Sequence, residues 1–378
     1  MQADLSVGPV RSRADRAAFL RLPYQLHRDD PTWVPPLMAE RRAALDPRRN
    51  PYLRRAEVGF WLARRGTRVV GRISAQRDPL VAELRGPGEG HFGMLAAEDD
   101  PEVFAGLTGA AEDWLRARGT THVRGPFSLS INEETGLLVE GRDTPPMLMM
   151  GHDLPHHDPR LREQGYAPAR DLLAYLMDRS SVEPPAVARL TDRPLPEGVT
   201  IRPIRMDAFG AELRALTDIF NDAWRDNWGF VPLTAEETAA MGKQLRPLID
   251  RRLVWFAEVR GEPAAFAVWL PNLNEAIADL GGRLAPFGWA RLAWRLKVAG
   301  VRSGRVPLMG LRRKYSRGML GSFLPLRMLN HLRREAIALG YERVELSWVL
   351  EDNRAMRRLA EGLGARVYKR YRVYEKRL

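Results

Sequence analysis

A basic, glycine-containing segment in the last quarter of the chain carries residue types well suited to binding phosphate. It runs RVPLMGLRRKYSRGMLGSFLPLRM over 305–328 and reads as a strand, a loop and the start of a helix. Backbone N–H groups at a helix start carry partial positive charge, and Gly318 and Gly321 let the backbone approach an anion closely, while Ser322 is placed to cap the helix. The loop also supplies cationic donors, which are Arg312, Arg313, Lys314 and Arg317. The segment therefore predicts an anion site suited to a pyrophosphate.

The positive charge of the chain is concentrated around this segment. The chain holds 59 Lys and Arg against 47 Asp and Glu, a net charge of +12. From Phe287 to Leu378 there are 22 Lys and Arg against 7 Asp and Glu, a net of +15, which leaves −3 for the remainder. This local excess indicates an anionic partner, either a phosphorylated cofactor, nucleic acid or an anionic membrane surface. A solvated, Arg-rich surface without a partner is the alternative.

Two carboxylates lie where a proton-transfer step could use them. Glu351 and Asp352 come at the end of a predicted strand, next to Asn353. A carboxylate there could accept the proton of an amine, directly or through water. The alternative is a pair of acids that simply stabilise a helix N-terminus.

The composition excludes several classes of site. The chain has no cysteine, which rules out disulfides, thiolate zinc sites, iron–sulfur clusters and cysteine nucleophiles. The segment GHDLPHHDP at 151–159 gathers His and Asp, but its prolines predict a loop without a patterned ligand set, so no metal site is predicted. No apolar run approaches the roughly 18 residues of a membrane span, and residues 1–30 lack the apolar core of a signal peptide. A cytoplasmic location is expected.

The elements that must position these residues fall into two domains. The stretch 179–199 holds four prolines and few large apolar residues. It is interpreted as a linker between an N-terminal domain at 1–178 and a C-terminal domain at 200–378.

The two halves repeat the same pattern. In each half a predicted helix ends on a glycine, Gly119 or Gly340, and an asparagine follows 13 residues later. Strand–turn–strand patterns recur at 60–75 and 253–270. These offsets predict an internal repeat of about 190 residues. Strands followed by helices predict an α/β fold class, in which each half layers a mixed sheet with helices.

One amphipathic segment stands outside this repeat. Residues 287–298, FGWARLAWRLKV, place Trp289, Leu292, Ala293 and Leu296 on one helical face and Arg291 and Arg295 on the opposite side. A helix that packs on its own domain is the first interpretation. A lid over a substrate and a membrane-surface helix are the alternatives.

The order strand, Arg–Gly loop, helix, strand, Asn, helix, Gly resembles the GNAT superfamily of acyl-CoA-dependent N-acyltransferases. Asn353 is followed 11 and 12 residues later by Gly364 and Ala365, and Ala365 replaces the usual aromatic residue. Nearly the whole chain also resembles a double-domain bacterial family of GNAT-like proteins. The segments that match are DDPTWVPPL, RGPFSLSINEETGLLVEG, FNDAWRDNWGFVP, LSWVLEDN and YRVYEK.

The resemblance implies a cofactor and a mechanism. Acetyl-CoA or another acyl-CoA would lie where two strands splay apart, with its pyrophosphate on the 317–322 loop and its pantetheine arm along the strand edge near 306–310. An amine would attack the thioester directly in a ternary complex. The cofactor-binding residues that the resemblance implies are Gly310, Leu311, Arg312, Arg317, Gly318, Gly321, Ser322 and Asn353.

The chain departs from the family pattern at two positions. Gly318 and Gly321 are three residues apart, where the pattern has two. The tyrosine that often protonates the leaving thiolate would lie seven residues after Asn353, where this chain has Ala360. Tyr371 or Tyr374 would have to replace it. The predicted catalytic residues are Glu351, Asp352 and Tyr371.

The first half departs further. Its corresponding helix begins at Glu98-Asp99-Asp100-Pro101, and three carboxylates would repel a pyrophosphate. The first half is therefore predicted to have a degenerate cofactor site and either to complete the acceptor site or to serve as structure. The candidate acceptor-binding residues of the second half, which could equally be capping and packing residues, are Asn221, Trp224, Asn227 and Trp228.

These features predict an N-acyltransferase whose acceptor is a small-molecule or peptide amine. A degenerate GNAT fold retained as a binding or scaffold protein is the alternative. A further alternative is an aminoacyl-tRNA-dependent transferase with RNA as its partner, although the basic region lacks a clear aromatic stacking surface. The acceptor, the acyl length and the oligomeric state are left open by the sequence.

Overall fold

The computed structural model describes residues 4–179, 181 and 184–378, which form two compact units. The first unit comprises the described part of Met1–Leu172 together with Ile277–Ala285 and Lys369–Leu378. The second unit comprises the described part of Leu173–Ala276 together with Pro286–Tyr368. The predicted linker at 179–199 lies partly outside the described residues and contains a helix, α7 (Pro185–Thr191).

The first unit begins with a strand and a helix and continues with a β-hairpin. Its elements are β1 (Leu5–Pro9), α1 (Arg13–Leu26), α2 (Met38–Ala44), α3 (Tyr52–Arg55), β2 (Glu57–Arg65), β3 (Arg68–Arg77), α4 (Pro79–Arg85), β4 (Glu89–Ala97), α5 (Pro101–Arg116), β5 (His122–Gly125), β6 (Leu137–Glu140), α6 (His157–Glu163) and the first part of β7 (Ala167–Asp178).

The second unit repeats this order of strands and helices. Its elements are the rest of β7, α7 (Pro185–Thr191), β8 (Val199–Pro203), α8 (Phe209–Ala223), α9 (Ala235–Leu245), β9 (Val254–Val259), β10 (Glu262–Pro271), most of α10 (Leu273–Ile277), α11 (Gly288–Trp294), β11 (Ser303–Leu311), α12 (Gly318–Ala338), β12 (Arg343–Leu350), α13 (Arg354–Gly362) and the start of β13 (Arg366–Arg377). The predicted α/β class is confirmed.

Each unit contains a mixed sheet of the same design. In the first unit β1 to β4 pair antiparallel in sequence order, and β4 then pairs parallel with β5. In the second unit β8 to β11 pair antiparallel, and β11 then pairs parallel with β12. The predicted strand–turn–strand patterns are the hairpins β2–β3 and β9–β10. The second hairpin turns through Arg260 and Gly261, both with positive φ, as a tight two-residue turn requires.

The helices bury one face against these sheets at helical spacing. Helix α12 buries Leu324, Met328, Leu332 and Ala336, which recur every four residues, in a cluster with the small residues Ala265 and Ala267 of β10. Phe266 lies between these alanines in the sequence and points to the other face, where it lies beside Gly310 together with Ile219 of α8. The sheet of the second unit therefore lies between α12 on one face and α8 on the other.

The last strand of each unit comes from the other half of the sequence. In the first unit β13 pairs with β5, with Tyr374 opposite Gly125, and with β6, with Tyr371 opposite Leu138. In the second unit β7 lies beside β12. Residues 369–378, assigned to the C-terminal domain by the sequence pattern, thus lie in the first unit. Along the chain as described, no helix is long and apolar enough to cross a membrane.

Because β13 closes the first unit, we predict that a substitution near the C-terminus destabilises the first half of the chain. Tyr374 is fully buried with Phe92 and Val123, and its hydroxyl donates to Asp158. Tyr374→Ala should cost about 3–5 kcal/mol through the cavity that it leaves. Hydrogen exchange should become faster in residues 89–97 and 122–125 and stay unchanged in 303–311.

The matched control is Val367→Ala, which removes a partly exposed side chain from the same strand. It should leave both sets of amides unchanged. Faster exchange in 303–311 than in 89–97 after the Tyr374 substitution would contradict the assignment of β13 to the first unit.

Candidate active site

The parallel strands β11 and β12 separate part of the way along their length. They pair from Ser303 opposite Arg343 to Val306 opposite Leu346, and the pairing ends there although both strands continue. At this point β11 carries a bulge, because Val306 and Pro307 together lie opposite one residue of β10, and Pro307 has no N–H to offer a neighbour. Beyond the bulge β11 remains paired with β10 as far as Leu311. An opening therefore forms between β11 and β12.

A buried charged network holds the two strands together just before they separate. Arg305 and Glu345 face each other in register and are 4% and 0% exposed. The Arg305 guanidinium donates from Nε to Ser347 Oγ at 2.7 Å and from Nη2 to the Ser347 carbonyl at 3.1 Å, and Nε lies 3.5 Å from Glu345 Oε1. The hydroxyls of Ser347 and Tyr368 both donate to the Glu345 carboxylate. The network fixes the register of the strands at the opening.

Trp224 lies at the opening. It follows α8 directly, and its indole Nε1 donates to the Met309 carbonyl of β11 at 3.0 Å. Its ring meets Trp348 of β12 edge-on, with 6.0 Å between ring centroids. The backbone N–H of Arg312 donates to the Ala264 carbonyl of the neighbouring β10 segment. Because the backbone N–H and C=O groups of successive residues point to alternate sides of a strand, those of Met309 and Leu311 point away from β10. Trp224 therefore covers one of the carbonyls that face the opening.

The N-terminus of α12 is open. The helix begins at Gly318, and no side chain of the described residues caps it; Arg317 is the N-cap residue, and the first turn contains no acid. Gly318 has a φ of 73°, and a Cβ on Gly321 would lie only 2.0 Å from the Ser316 carbonyl oxygen. The three-residue spacing of these glycines thus has two separate causes: a left-handed residue at the helix start and a close approach of the loop backbone.

The structure corrects the prediction that Ser322 caps α12. Ser322 does not cap α12, because the helix starts four residues before it and Ser322 lies inside the helix as an exposed residue. The sequence pattern did not locate the start of the helix for two reasons. Met319 and Leu320 are typical of a helix interior, and a positive φ at Gly318 is a property of the backbone.

The four cations of the loop are not equivalent. Arg313 donates its backbone N–H to Asp222 and pairs with Asp226 at 3.3 Å. Arg312 Nε donates to the Pro263 carbonyl at 2.8 Å. Lys314 Nζ donates to Glu262 at 2.6 Å, and this hydrogen bond raises the pKa of the lysine.

Arg317 differs from the other three cations of the loop. Among the residues that the structure describes, it alone of the four makes no hydrogen bond or ion pair, and its side chain is exposed at the helix start. An exposed guanidinium beside unpaired backbone N–H groups can bind an anion with the two kinds of donor together.

The corresponding helix of the first unit has the opposite arrangement. Asp100 caps α5 by accepting from the Glu102 backbone N–H at 2.9 Å. Arg65 then pairs with both Asp100 and Glu102, and Asp99 pairs with Arg160 at 2.8 Å. Carboxylates of the chain itself therefore occupy this helix N-terminus, in keeping with the expectation of a degenerate cofactor site, which stays a prediction.

The predicted catalytic residues do not all come together in one unit. Glu351 and Asp352 form the turn directly after β12, at the end of the strand that leaves the opening. Tyr371 lies in the first unit, fully buried in β13. Ala360, which takes the position of the usual tyrosine, is fully buried in α13 with the core of the second unit.

Two of the predicted binding residues have a structural task. Asn353 caps α13 by accepting from the Met356 backbone N–H at 3.0 Å. Asn221 holds Leu233 with both ends of its amide, at 2.9 and 3.0 Å, and so fixes the loop that contains Asn227 and Trp228. Gly310 has no room for a side chain, because a Cβ would lie 2.8 Å from Phe266. Leu311 is the last residue of β11.

Sequence reasoning missed the pairing of Arg305 with Glu345, and it named Trp224 as a candidate acceptor-binding residue without foreseeing its hydrogen bond to β11. A signal was present in the sequence, since Arg305 is the one charged residue of β11 and Glu345 lies among the apolar residues Val344 and Leu346 of β12. In the histidine-rich segment, His152 Nε2 lies 2.9 Å from an Asp30 carboxylate oxygen. Within the described ranges no three His, Asp or Glu side chains are arranged to hold a metal ion.

Comparison with known proteins finds relatives that match nearly the entire chain. A bacterial ceramide synthase of Caulobacter vibrioides is 55% identical to the chain over 377 residues, which cover 100% of the chain and 98% of that protein. Protein YghO of Escherichia coli is 46% identical over 368 residues, which cover 97% of the chain and 94% of YghO. No protein-family model matches the chain.

The fold also has a counterpart among solved structures. A tandem GNAT protein from the clavulanic acid biosynthesis pathway superimposes with a TM-score of 0.58 and covers 99% of this chain and 98% of its own, at 14% identity. At this identity the likeness shows the fold alone, and it confirms the two tandem GNAT folds predicted from the sequence. The chain therefore belongs to the same bacterial family as the ceramide synthase of Caulobacter vibrioides and protein YghO, and it has the tandem GNAT fold.

Proposed function

We propose that the protein is an N-acyltransferase that joins the acyl group of an acyl-CoA to the amino group of a long-chain amino alcohol, forming a ceramide. The observation that carries the acyl-CoA part is the opening between β11 and β12, followed in the chain by the open N-terminus of α12. The long-chain acceptor is proposed because a bacterial ceramide synthase is 55% identical over the entire chain.

The cofactor would be held by backbone groups and one side chain. Its pyrophosphate would bind the first-turn N–H groups of α12 and the Arg317 guanidinium. Its pantetheine arm would pair with the edge of β11 that faces the opening. Gly310 and Leu311 are the two residues of this strand that were predicted to bind the cofactor. The backbone N–H and C=O of Leu311 point toward the opening, whereas those of Gly310 point to β10.

The reaction would proceed by direct attack in one complex. The uncharged amine adds to the thioester carbonyl, the C–N bond forms, and the C–S bond breaks with release of the CoA thiolate. A backbone N–H of β11 at the opening would stabilise the oxyanion. Glu351 or Asp352 would accept the amine proton, directly or through water. No residue is assigned to protonate the thiolate.

A binding or scaffold protein is the second candidate. It is favoured by one observation, the buried alanine at position 360, where many proteins of this fold have the tyrosine that protonates the thiolate.

The decisive experiment is incubation of the purified protein with a long-chain acyl-CoA and a long-chain amino alcohol, with free thiol and N-acyl product both measured. Release of thiol with formation of the amide supports catalysis, and binding of acyl-CoA without either product supports the scaffold. A short soluble amine and a peptide serve as competing acceptors.

The cofactor site predicts a specific loss of acyl-CoA binding in Arg317→Glu. The substitution removes a charge-assisted contact worth about 1.5–3 kcal/mol and adds repulsion, so the Kd should rise at least about tenfold. Calorimetric titration with acyl-CoA and CoA measures the change.

Lys314→Glu is the matched control, since it makes the same change of charge three residues away at a lysine that already pairs with Glu262. Its Kd should change much less than that of Arg317→Glu. Equal losses in both variants would mean that only the general positive field matters, and no loss in either would remove the cofactor from this loop.

The proposed base predicts a loss of rate without a loss of binding. Glu351→Gln and Asp352→Asn are expected to differ: the variant that lacks the base should lose about 10²–10⁴-fold in kcat, and the Kd for acyl-CoA should stay unchanged. Asp207→Asn, an exposed carboxylate elsewhere in the second unit, is the control. Full activity in the double variant of 351 and 352 would rule out both residues as the base.

A further inference from the structure

The helical segment 288–299 presents large apolar side chains to solvent. It consists of α11 and the continuing helical turns Arg295–Ala299, and it contains no buried residue, although the structure describes all of it. Phe287, Trp289, Trp294 and Val298 are 73%, 61%, 58% and 72% exposed. Such residues are usually inside a folded protein, and a cluster of them on one surface element indicates an interaction site.

The exposed residues form a stripe on one face of this segment. Phe287, Trp294 and Val298 are separated by seven and four residues, a spacing that places them on the same side of a helix. Leu292 and Leu296 are half-buried and belong to the other side, which the protein covers. The expectation that Trp289 packs with these leucines is wrong, since its ring is exposed and its Nε1 donates to the Pro286 carbonyl at 3.1 Å. We call Phe287, Trp294 and Val298 the apolar stripe.

The sequence on both sides of the apolar stripe is strongly basic. From 280 to 334 the sequence holds 13 Arg and Lys and no Asp or Glu. The cations nearest in sequence are Arg283, Arg291, Arg295, Lys297 and Arg302. Arg295 also anchors the segment, because its guanidinium donates to the Ala276 carbonyl at 2.8 Å. The segment is therefore a fixed helix with apolar residues and positive charge on the same surface.

This combination favours one kind of partner. A second copy of the chain would bring the same basic surface against itself in a symmetric dimer, which like charges oppose. RNA would bind the cations and could stack on the indole rings, but neither contact would bury the exposed aliphatic side chain of Val298. An anionic bilayer uses all of these features, because Trp and Phe settle at the membrane–water interface, aliphatic side chains enter the acyl region, and Lys and Arg bind anionic headgroups.

We propose that the segment 287–299 docks the protein on the surface of an anionic lipid bilayer, with the apolar stripe inserted at the headgroup level. The proposal goes beyond the proposed reaction and does not depend on it. If the reaction is also correct, docking would bring the second unit to a surface in which a long-chain amine and its product are dissolved.

The test is co-sedimentation of the full-length protein with vesicles of phosphatidylcholine alone and with vesicles that also contain phosphatidylglycerol. The wild-type protein should bind the mixed vesicles at least tenfold more tightly than the neutral ones. The triple variant F287S/W294S/V298S should lose at least tenfold in affinity for the mixed vesicles. Leu84→Ser is the matched control, since Leu84 is 53% exposed on α4, outside this segment, and it should bind as the wild type does.

A second pair of variants separates charge from apolar contact. R291E/K297E should abolish the preference for anionic vesicles, whereas the triple serine variant should weaken binding to both kinds. The triple variant must unfold at the same temperature as the wild type, which shows that its fold is intact. Calorimetric titration with acyl-CoA then separates the two proposals, because a failure to bind acyl-CoA concerns the active site and a failure to bind vesicles concerns the stripe.

Three results would overturn the membrane proposal. The first is absence of vesicle binding by the wild type, and the second is equal binding by the wild type and the triple variant. The third is a competing occupant: dimers that dissociate in the triple variant, or RNA that co-purifies with the wild type and prevents vesicle binding, would assign the surface to that partner instead.

Discussion

The ion pair between Arg305 and Glu345 is the constraint on which the proposed site depends. Burying two charges is costly unless every polar atom is satisfied, and here Ser347 and Tyr368 complete the set. A slip of one residue between β11 and β12 would separate the pair and place the two side chains on opposite faces of the sheet. The pair therefore holds the strands in register up to the bulge at Val306 and Pro307, where they part. The edge of β11 that faces the opening and the start of α12 come after that point in the chain.

The two units use one architecture with opposite electrostatics at the corresponding helix. In the first unit Asp100 and Glu102, paired with Arg65, occupy the start of α5. In the second unit the start of α12 has no acidic residue, and Arg317 stands exposed beside it. A change of a few residues at one helix end thus turns a structural element into a candidate anion site while the sheet beneath it is retained.

Local features of the fold could be predicted from the sequence, whereas long-range pairing could not. Gly119 and Gly340 end their helices, each with positive φ, because this conformation is encoded by a single residue. The place of β13 in the first unit depends on pairing between residues some 250 positions apart, as for Tyr374 and Gly125, which no local pattern encodes. The same contrast applies to the candidate site. Its glycines were recognisable from the sequence, but the carboxylates that pair with Arg313 and Lys314 are distant in sequence.

We propose that acyl-CoA binds the opening between β11 and β12 and the open start of α12. The most direct measurement is hydrogen exchange of the full-length protein with and without a non-hydrolysable acyl-CoA analogue. Binding at this site should slow the exchange of backbone amides at 308–321 and leave 98–104 unchanged, where carboxylates of the first unit occupy the start of α5. Protection at 98–104 instead, or protection in neither segment at saturating analogue, would contradict it.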